Sequence, residues 1–169
     1  MSDRSAAEIC IGVNLNDVAT IDRLIEAIMS DNAGPEYGSR FLDAAEVLDC
    51  IKEAVAASEP LRLFDDQASG GAFWDLEKVL RDRALTYFRA DDGHYAYSAE
   101  AVFWEPGYDE PRSWTGANEH TPCLTATEIR KLSTSEGALA AELDLLERAE
   151  KSGFPLRTDA SALDAALTK

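Results

Sequence analysis

LRLFDDQASGGAFWDLEKVLRDRALTYFRADDGHYAYSAEAVFW, residues 61–104, decides the fold. Its first four residues alternate apolar and polar or aromatic groups and predict a short strand at 61–64. Gly70-Gly71 then break the chain and open a helix over 71–83, with Phe73, Leu76, Val79 and Leu80 at helical spacing. ALTYFR predicts a strand at 84–89 with Leu85 and Tyr87 on one face. The ADDG turn at 90–93 joins it to a second arm at 94–104, because Asp-Gly tolerates the left-handed backbone of a tight hairpin. In that arm Tyr95, Tyr97, Ala99, Ala101 and Phe103 share one face, and His94, Ala96, Ser98, Glu100, Val102 and Trp104 share the other. Neither face is cleanly polar, so part of the second is expected to be covered by another element or by a partner.

On the N-terminal side, ICIGVNL predicts a strand at 9–15, and Asn16 or Asp17 is positioned to cap a helix over 17–29. Its apolar positions Val18, Ile21, Leu24, Ile25 and Ile28 form one stripe. The breakers of SDNAGPEYGS, residues 30–39, end it. A second amphipathic helix is expected over 40–57, with Phe41, Ala44, Ala45, Leu48, Ile51 and Val55 buried; Glu59-Pro60 stops it. On the C-terminal side, residues 105–123 are rich in Pro and Gly and predict a long loop carrying Tyr108 and Trp114. Thr125 with Glu128, and Ser133 with Glu136, fit capping boxes for helices over 125–132 and 135–151. The expected architecture is therefore α+β: a small, mostly antiparallel sheet of about four strands packed by five amphipathic helices. One domain spans 1–151, and 152–169 form a loosely docked tail.

The charge balance narrows the function. Thirty-two acidic residues face sixteen basic ones, a formal net charge of -16. Such a field repels phosphate backbones and anionic membrane surfaces, so neither nucleic acid nor membrane is an expected partner. No stretch approaches the roughly 18 apolar residues of a membrane helix. Three cysteines, Cys10, Cys50 and Cys123, without CxxC spacing, fit a reducing cytoplasm rather than a disulfide scaffold. The expected partner is a protein with a basic surface, and a homodimer is an alternative.

Candidate chemistry is sparse. Asp65 and Asp66 follow a predicted strand, a place where metal-assisted hydrolases and transferases keep carboxylates, and His94 or His120 could complete a set. Neighbours on a strand point opposite ways, however, and capping or solvation accounts for both aspartates. Ser69-Gly70-Gly71 lacks the lysine of a phosphate loop. Glu119-His120-xx-Cys123 lacks the three or four convergent ligands a zinc site needs, and a Cys123–His120 catalytic pair has Pro122 between its members. No cofactor is expected. Tyr108 and Trp114 either tuck onto the sheet or anchor a partner, with Glu105, Asp109, Glu110 and Glu119 steering its basic surface. The sequence thus favours a non-enzymatic acidic protein-binding module. Its narrowest form is an inhibitor imitating nucleic-acid charge. A small metal-dependent enzyme and a structural homo-oligomer are the alternatives.

Overall fold

The computed structural model describes residues 4–15, 17–95, 97–116, 121–151, 154–158 and 160–166. In chain order the elements are β1 (Arg4–Ile11), β2 (Val13–Leu15), α1 (Val18–Ser30), α2 (Ala44–Ala57), β3 (Leu61–Ser69), α3 (Trp74–Asp82), β4 (Tyr87–Asp91), β5 (Glu100–Trp104), β6 (Arg112–Gly116), β7 (Pro122–Cys123), α4 (Ala126–Leu132), α5 (Ala138–Lys151), β8 (Leu156–Thr158) and α6 (Ala160–Ala166). The fold is α+β, and its main sheet is larger than the four strands expected. Six strands run in the order β3-β1-β4-β5-β6-β7, every neighbouring pair antiparallel, and β2 pairs with β8 in a separate parallel ribbon.

Alternation along the strands divides the core in two. Ile9, Ile11, Leu61, Leu63, Tyr87, Val102 and Trp104 face the apolar stripes of α1, α2 and α3. Cys10, Phe88, Ala90, Ala101, Phe103 and Trp114 face Leu145 and Ala149 of α5. The mixed polarity of the hairpin arm thus has a physical cause: both of its faces are covered by helices.

Several boundaries differ from the sequence reading. The strand expected at 9–15 is cut at Gly12, where an added side chain would meet Phe154. The strand expected at 61–64 runs on to Ser69. Opposite Ala6 the ladder steps from Ala7↔Asp65 to Ser5↔Ala68, a bulge that frees the Gln67 amide, and Asp65 Oδ1 accepts that amide at 2.9 Å. The strand expected at 84–89 is Tyr87–Asp91, and the arm expected at 94–104 is strand only over Glu100–Trp104, with an isolated His94↔Tyr97 bridge before it. The long loop expected at 105–123 contains β6 and β7. Its breakers flank the short RSWTG run and hide it.

Helix starts follow their caps. Asp17 Oδ1 accepts the Thr20 amide at 2.8 Å and starts α1. Asp43 caps α2 through Ala45 N and Glu46 N, so the helix starts later than the expected residue 40, Ala44 and Ala45 are exposed, and Val47 joins Leu48 and Ile51 in the core. The Thr125–Glu128 capping box is formed. Ser133 instead closes α4, its hydroxyl donating to Ile129 O at 2.7 Å. The segment expected as a tail supplies β8 and α6, with Leu156, Ala162 and Leu163 in the larger core. α3 has no side-chain cap of its own at Phe73. Asp31, at the end of α1, supplies one by accepting Leu76 N at 2.8 Å and Asp75 N at 3.4 Å. No described helix is long and apolar enough to cross a membrane.

Candidate functional site

The residues singled out in the 105–120 region fall into three groups. Trp114 is 3% exposed, sits in the smaller core, and donates its indole N–H to Glu142 Oε1 at 2.8 Å. A partner using Trp114 would have to displace α5. Tyr108 is half-buried against both cores; its carbonyl accepts Trp104 Nε1 at 3.0 Å and its hydroxyl accepts Arg148 Nη2 at 3.2 Å. Glu105 pairs with Arg148 Nη1 at 2.8 Å. Asp109 and Glu110 are exposed. Glu119 and His120 lie outside the described residues.

Asp65 is buried in the bulge of β3, whereas Asp66 next to it is exposed. His94 packs against Tyr95, ring centroids 4.0 Å apart, and against Tyr97 at 5.8 Å. Asp65 and Asp91 flank Ala7 on opposite sides, which separates them by two strand spacings, roughly 10 Å. Among the described residues no three His, Cys, Asp or Glu side chains converge as metal ligands.

The structure instead assembles a polar centre where α3 crosses β4. Residues 87, 89 and 91 share the α3 face of β4, so alternation delivers Tyr87, Arg89 and Asp91 to one place. The Arg89 side chain is 6% exposed. Its Nη1 donates to Gly71 O at 2.6 Å and to Asp91 Oδ2 at 2.9 Å, and its Nη2 donates to Glu100 Oε2 at 2.8 Å. Its Nε lies 3.0 Å from Glu77 Oε1 without hydrogen-bond alignment. Burial works against the Arg89 charge, but Glu77, Glu100 and Asp91 outweigh it and hold its pKa above the ordinary value. Burial also pushes the Asp91 carboxyl up, opposed by the Gly93 amide and by Arg89.

Gly71 makes this centre possible. Its φ of +68° is left-handed, and an added Cβ would stand 2.6 Å from Asp91 Cγ. Gly71→Ala is expected to cost about 1–3 kcal/mol, through backbone strain and displacement of Asp91. A urea midpoint equal to wild type would contradict that.

Tyr87 completes the network, donating to Glu77 Oε2 at 3.1 Å and accepting from Arg81 Nη1 at 3.1 Å. Burial, then the Glu77 charge, raises its phenol pKa far above the ordinary 10.0. Tyr37 is pushed up to about 12, chiefly by burial of its ring edge. The unfolded chain therefore loses these protons first. The stability tied to them is complete below pH 10 and is lost as pH rises towards the folded values. Melting temperature is expected to fall steeply above pH 10, and less steeply in Tyr87→Phe. Equal slopes in the two proteins would overturn this assignment.

Above this centre the ends of β3, β4, β5 and β6 border an open cleft of about 450 Å3, whose walls include Gly70, Asp91, Tyr97, Glu100, Thr115 and Glu128. Two large aromatic side chains close in sequence to its lining residues are exposed. Trp74, 67% exposed, is tethered by its indole N–H to Ser69 O at 3.0 Å, beside Gly70. Tyr95, 75% exposed, lies on His94 next to Tyr97. Sequence reasoning placed Tyr95 on a covered sheet face and gave Trp74 no role. The signal for Trp74 was available: it stands apart from the Phe73, Leu76 and Leu80 stripe of its helix.

No protein-family model, curated protein or solved structure matches this chain.

Proposed function

We propose that this protein is a non-enzymatic, acidic binding module of the cytoplasm that docks on a basic surface of a partner protein. The observation that carries this reading is an acid-lined cleft at one end of the sheet, with the exposed Trp74 held beside its Gly70 wall and Tyr95 exposed two residues from Tyr97. Exposed Trp and Tyr supply binding energy, and surrounding acids supply steering and selectivity for a cationic partner. The excess of acidic residues supports the same partner and disfavours nucleic acid. The docking area thereby moves from the 105–120 segment to the sheet end, since Trp114 is committed to the core and Glu105 to Arg148.

The distribution of acids favours local docking over imitation of a whole nucleic-acid face. Asp43, Glu46, Asp49 and Glu53 of α2 are exposed over one side of the sheet, and Asp144, Glu147 and Glu150 of α5 are exposed over the other. A mimic needs its charges along one elongated surface.

The test is capture of partners from native cell extract with wild type and with Trp74→Ala/Tyr95→Ala, both substitutions being at the surface. A partner with a basic surface, held by wild type and released by the variant or by raised salt, is the expected outcome. Identical capture by both proteins would overturn the reading. So would a concentration-dependent self-association abolished by the variant, which would make a second copy the occupant.

A further inference from the structure

We infer that α4 and α5 form a detachable cover over one face of the sheet, opening together while the rest of the fold stays closed. The two faces are held unequally. On one side α1 alone buries Ile21, Leu24, Ile25 and Ile28, with α2 and α3 packed beside it. On the other side α5 buries two apolar side chains, Leu145 and Ala149, with Leu146 half-buried beside them. α4 buries none; its Ile129 is exposed, as is Leu143 of α5. Apolar burial is the main attraction between a helix and a sheet, so detaching this pair costs less than opening the other side. The course of the chain allows it. Residues 133–137, which join the two helices, are exposed, and Gly137 has open space around it. β8 and α6, which follow α5, are anchored separately in the larger core by Leu156, Ala162 and Leu163.

Polar clamps supply much of what α5 lacks in burial. Glu142 accepts Arg112 Nη2 at 2.7 Å and 2.6 Å and Trp114 Nε1 at 2.8 Å, which ties α5 to β6. Arg148 donates to Glu105 Oε1 at 2.8 Å and to the Tyr108 hydroxyl at 3.2 Å, which ties α5 to the segment after β5. The two arginines are 48% and 54% exposed at the side chain, so salt screens both pairs. On the opposite face the Arg89–Glu77 pair between β4 and α3 is buried, and salt reaches it poorly. The clamps are therefore a salt-sensitive latch on one face alone. With the cover open, the sheet presents Phe88, Phe103 and Trp114, apolar side chains that the closed form keeps buried. Helices of seven and fourteen residues are marginal without packing, so detachment also frees their backbone amides.

The experiment is hydrogen exchange of the folded full chain, followed by NMR at urea concentrations well below the unfolding transition. Hydrogen-bonded amides of α4 and α5 are expected to exchange about tenfold or more faster than those of β1 and β4. They are also expected to share one urea dependence, weaker than that of global unfolding, because a single concerted opening uncovers part of the apolar surface. Raising salt from about 20 mM to about 500 mM is expected to speed exchange in α5 and leave β1 nearly unchanged. Arg148→Gln removes one clamp at a half-exposed position and is expected to speed α5 exchange about twofold to fivefold, with β1 unaffected. The inference is overturned if α5 and β1 exchange at one common rate with the global urea dependence. Fast exchange of α5 without urea dependence would overturn it too, since that is fraying residue by residue. A salt effect equal in α5 and β1, or wild-type α5 exchange in Arg148→Gln, would sink the assignment of the clamps as its latch.

Discussion

Replacing Arg89 with methionine is expected to destabilise the protein by about 3–5 kcal/mol, a large part of the stability of an ordinary domain. The loss does not arise because the ion pairs are strong in themselves, since desolvation offsets much of their attraction. It arises because the substitution leaves the buried Asp91, 1% exposed at the side chain, without its counter-charge, leaves Glu77 with only the longer pairing to Arg81 at 3.9 Å, and leaves the Gly71 carbonyl without its donor. The urea midpoint should fall with little change in the slope of the transition. The pH dependence supplies the second readout. With Arg89 gone, the pKa of Asp91 should rise further above its ordinary 3.8, so stability recovers as pH falls and is lost as pH rises through the new folded value. A variant as stable as wild type at neutral pH would show that the buried network is not what holds β4, β5 and α3 together.

Trp114→Ala is expected to cost about 3–5 kcal/mol, the range for removing a large buried aromatic. The indole fills the smaller core between β5 and α5, and Glu142 binds it while holding Arg112 Nη2 at 2.7 Å and 2.6 Å. Truncation opens a cavity and leaves the buried Glu142 with one donor fewer. An anchor waiting for a partner would behave in the opposite way, because removing an exposed ring leaves stability within about 0.5 kcal/mol. Thermal melting separates the two. A lowered melting temperature with early hydrogen exchange along α5 is the expected outcome, and an unchanged melting curve would return Trp114 to the surface. Trp74→Ala is the built-in comparison: its ring is exposed, and its loss should leave the melting curve nearly unmoved.

Local chemistry was legible from the chain. Asp17, Thr125 and Glu128 cap where their spacing placed them, because a capping bond closes within three residues. β4 does pair with β5 as expected, but not through a tight turn at 90–93: the register from Tyr87↔Trp104 to Ala90↔Ala101 leaves residues 92–99 between the strands. What escaped were long-range consequences. The Asp65 side chain satisfies an amide exposed by a bulge that forms only against β1. The RSWTG run reads as loop because its strand character comes from pairing with β5, whereas breakers surround it in sequence.

The candidate site was less legible than the fold. Of the two places the sequence left open for Trp114, the structure takes the core, whereas Trp74, to which the sequence reading gave no role, is at the surface. Arg89, Asp91, Glu77 and Glu100 are each unremarkable in a chain rich in charge. They become a centre only because β4, β5 and the Gly70-Gly71 turn bring them within about 3 Å of one guanidinium.

The sequence by itself determined an acidic α+β chain, the periodicity of its helices, the caps at Asp17 and Thr125, and the disfavour of its charge for nucleic acid. These depend on neighbours within a few residues or on the sum over all of them. Only the tertiary structure decided which aromatic is buried, which carboxylates share Arg89, and which end of the sheet opens into a cleft. Those outcomes depend on contacts between residues far apart in the chain, such as Trp114 with Glu142 or Asp31 with Leu76, and no local pattern encodes such pairs.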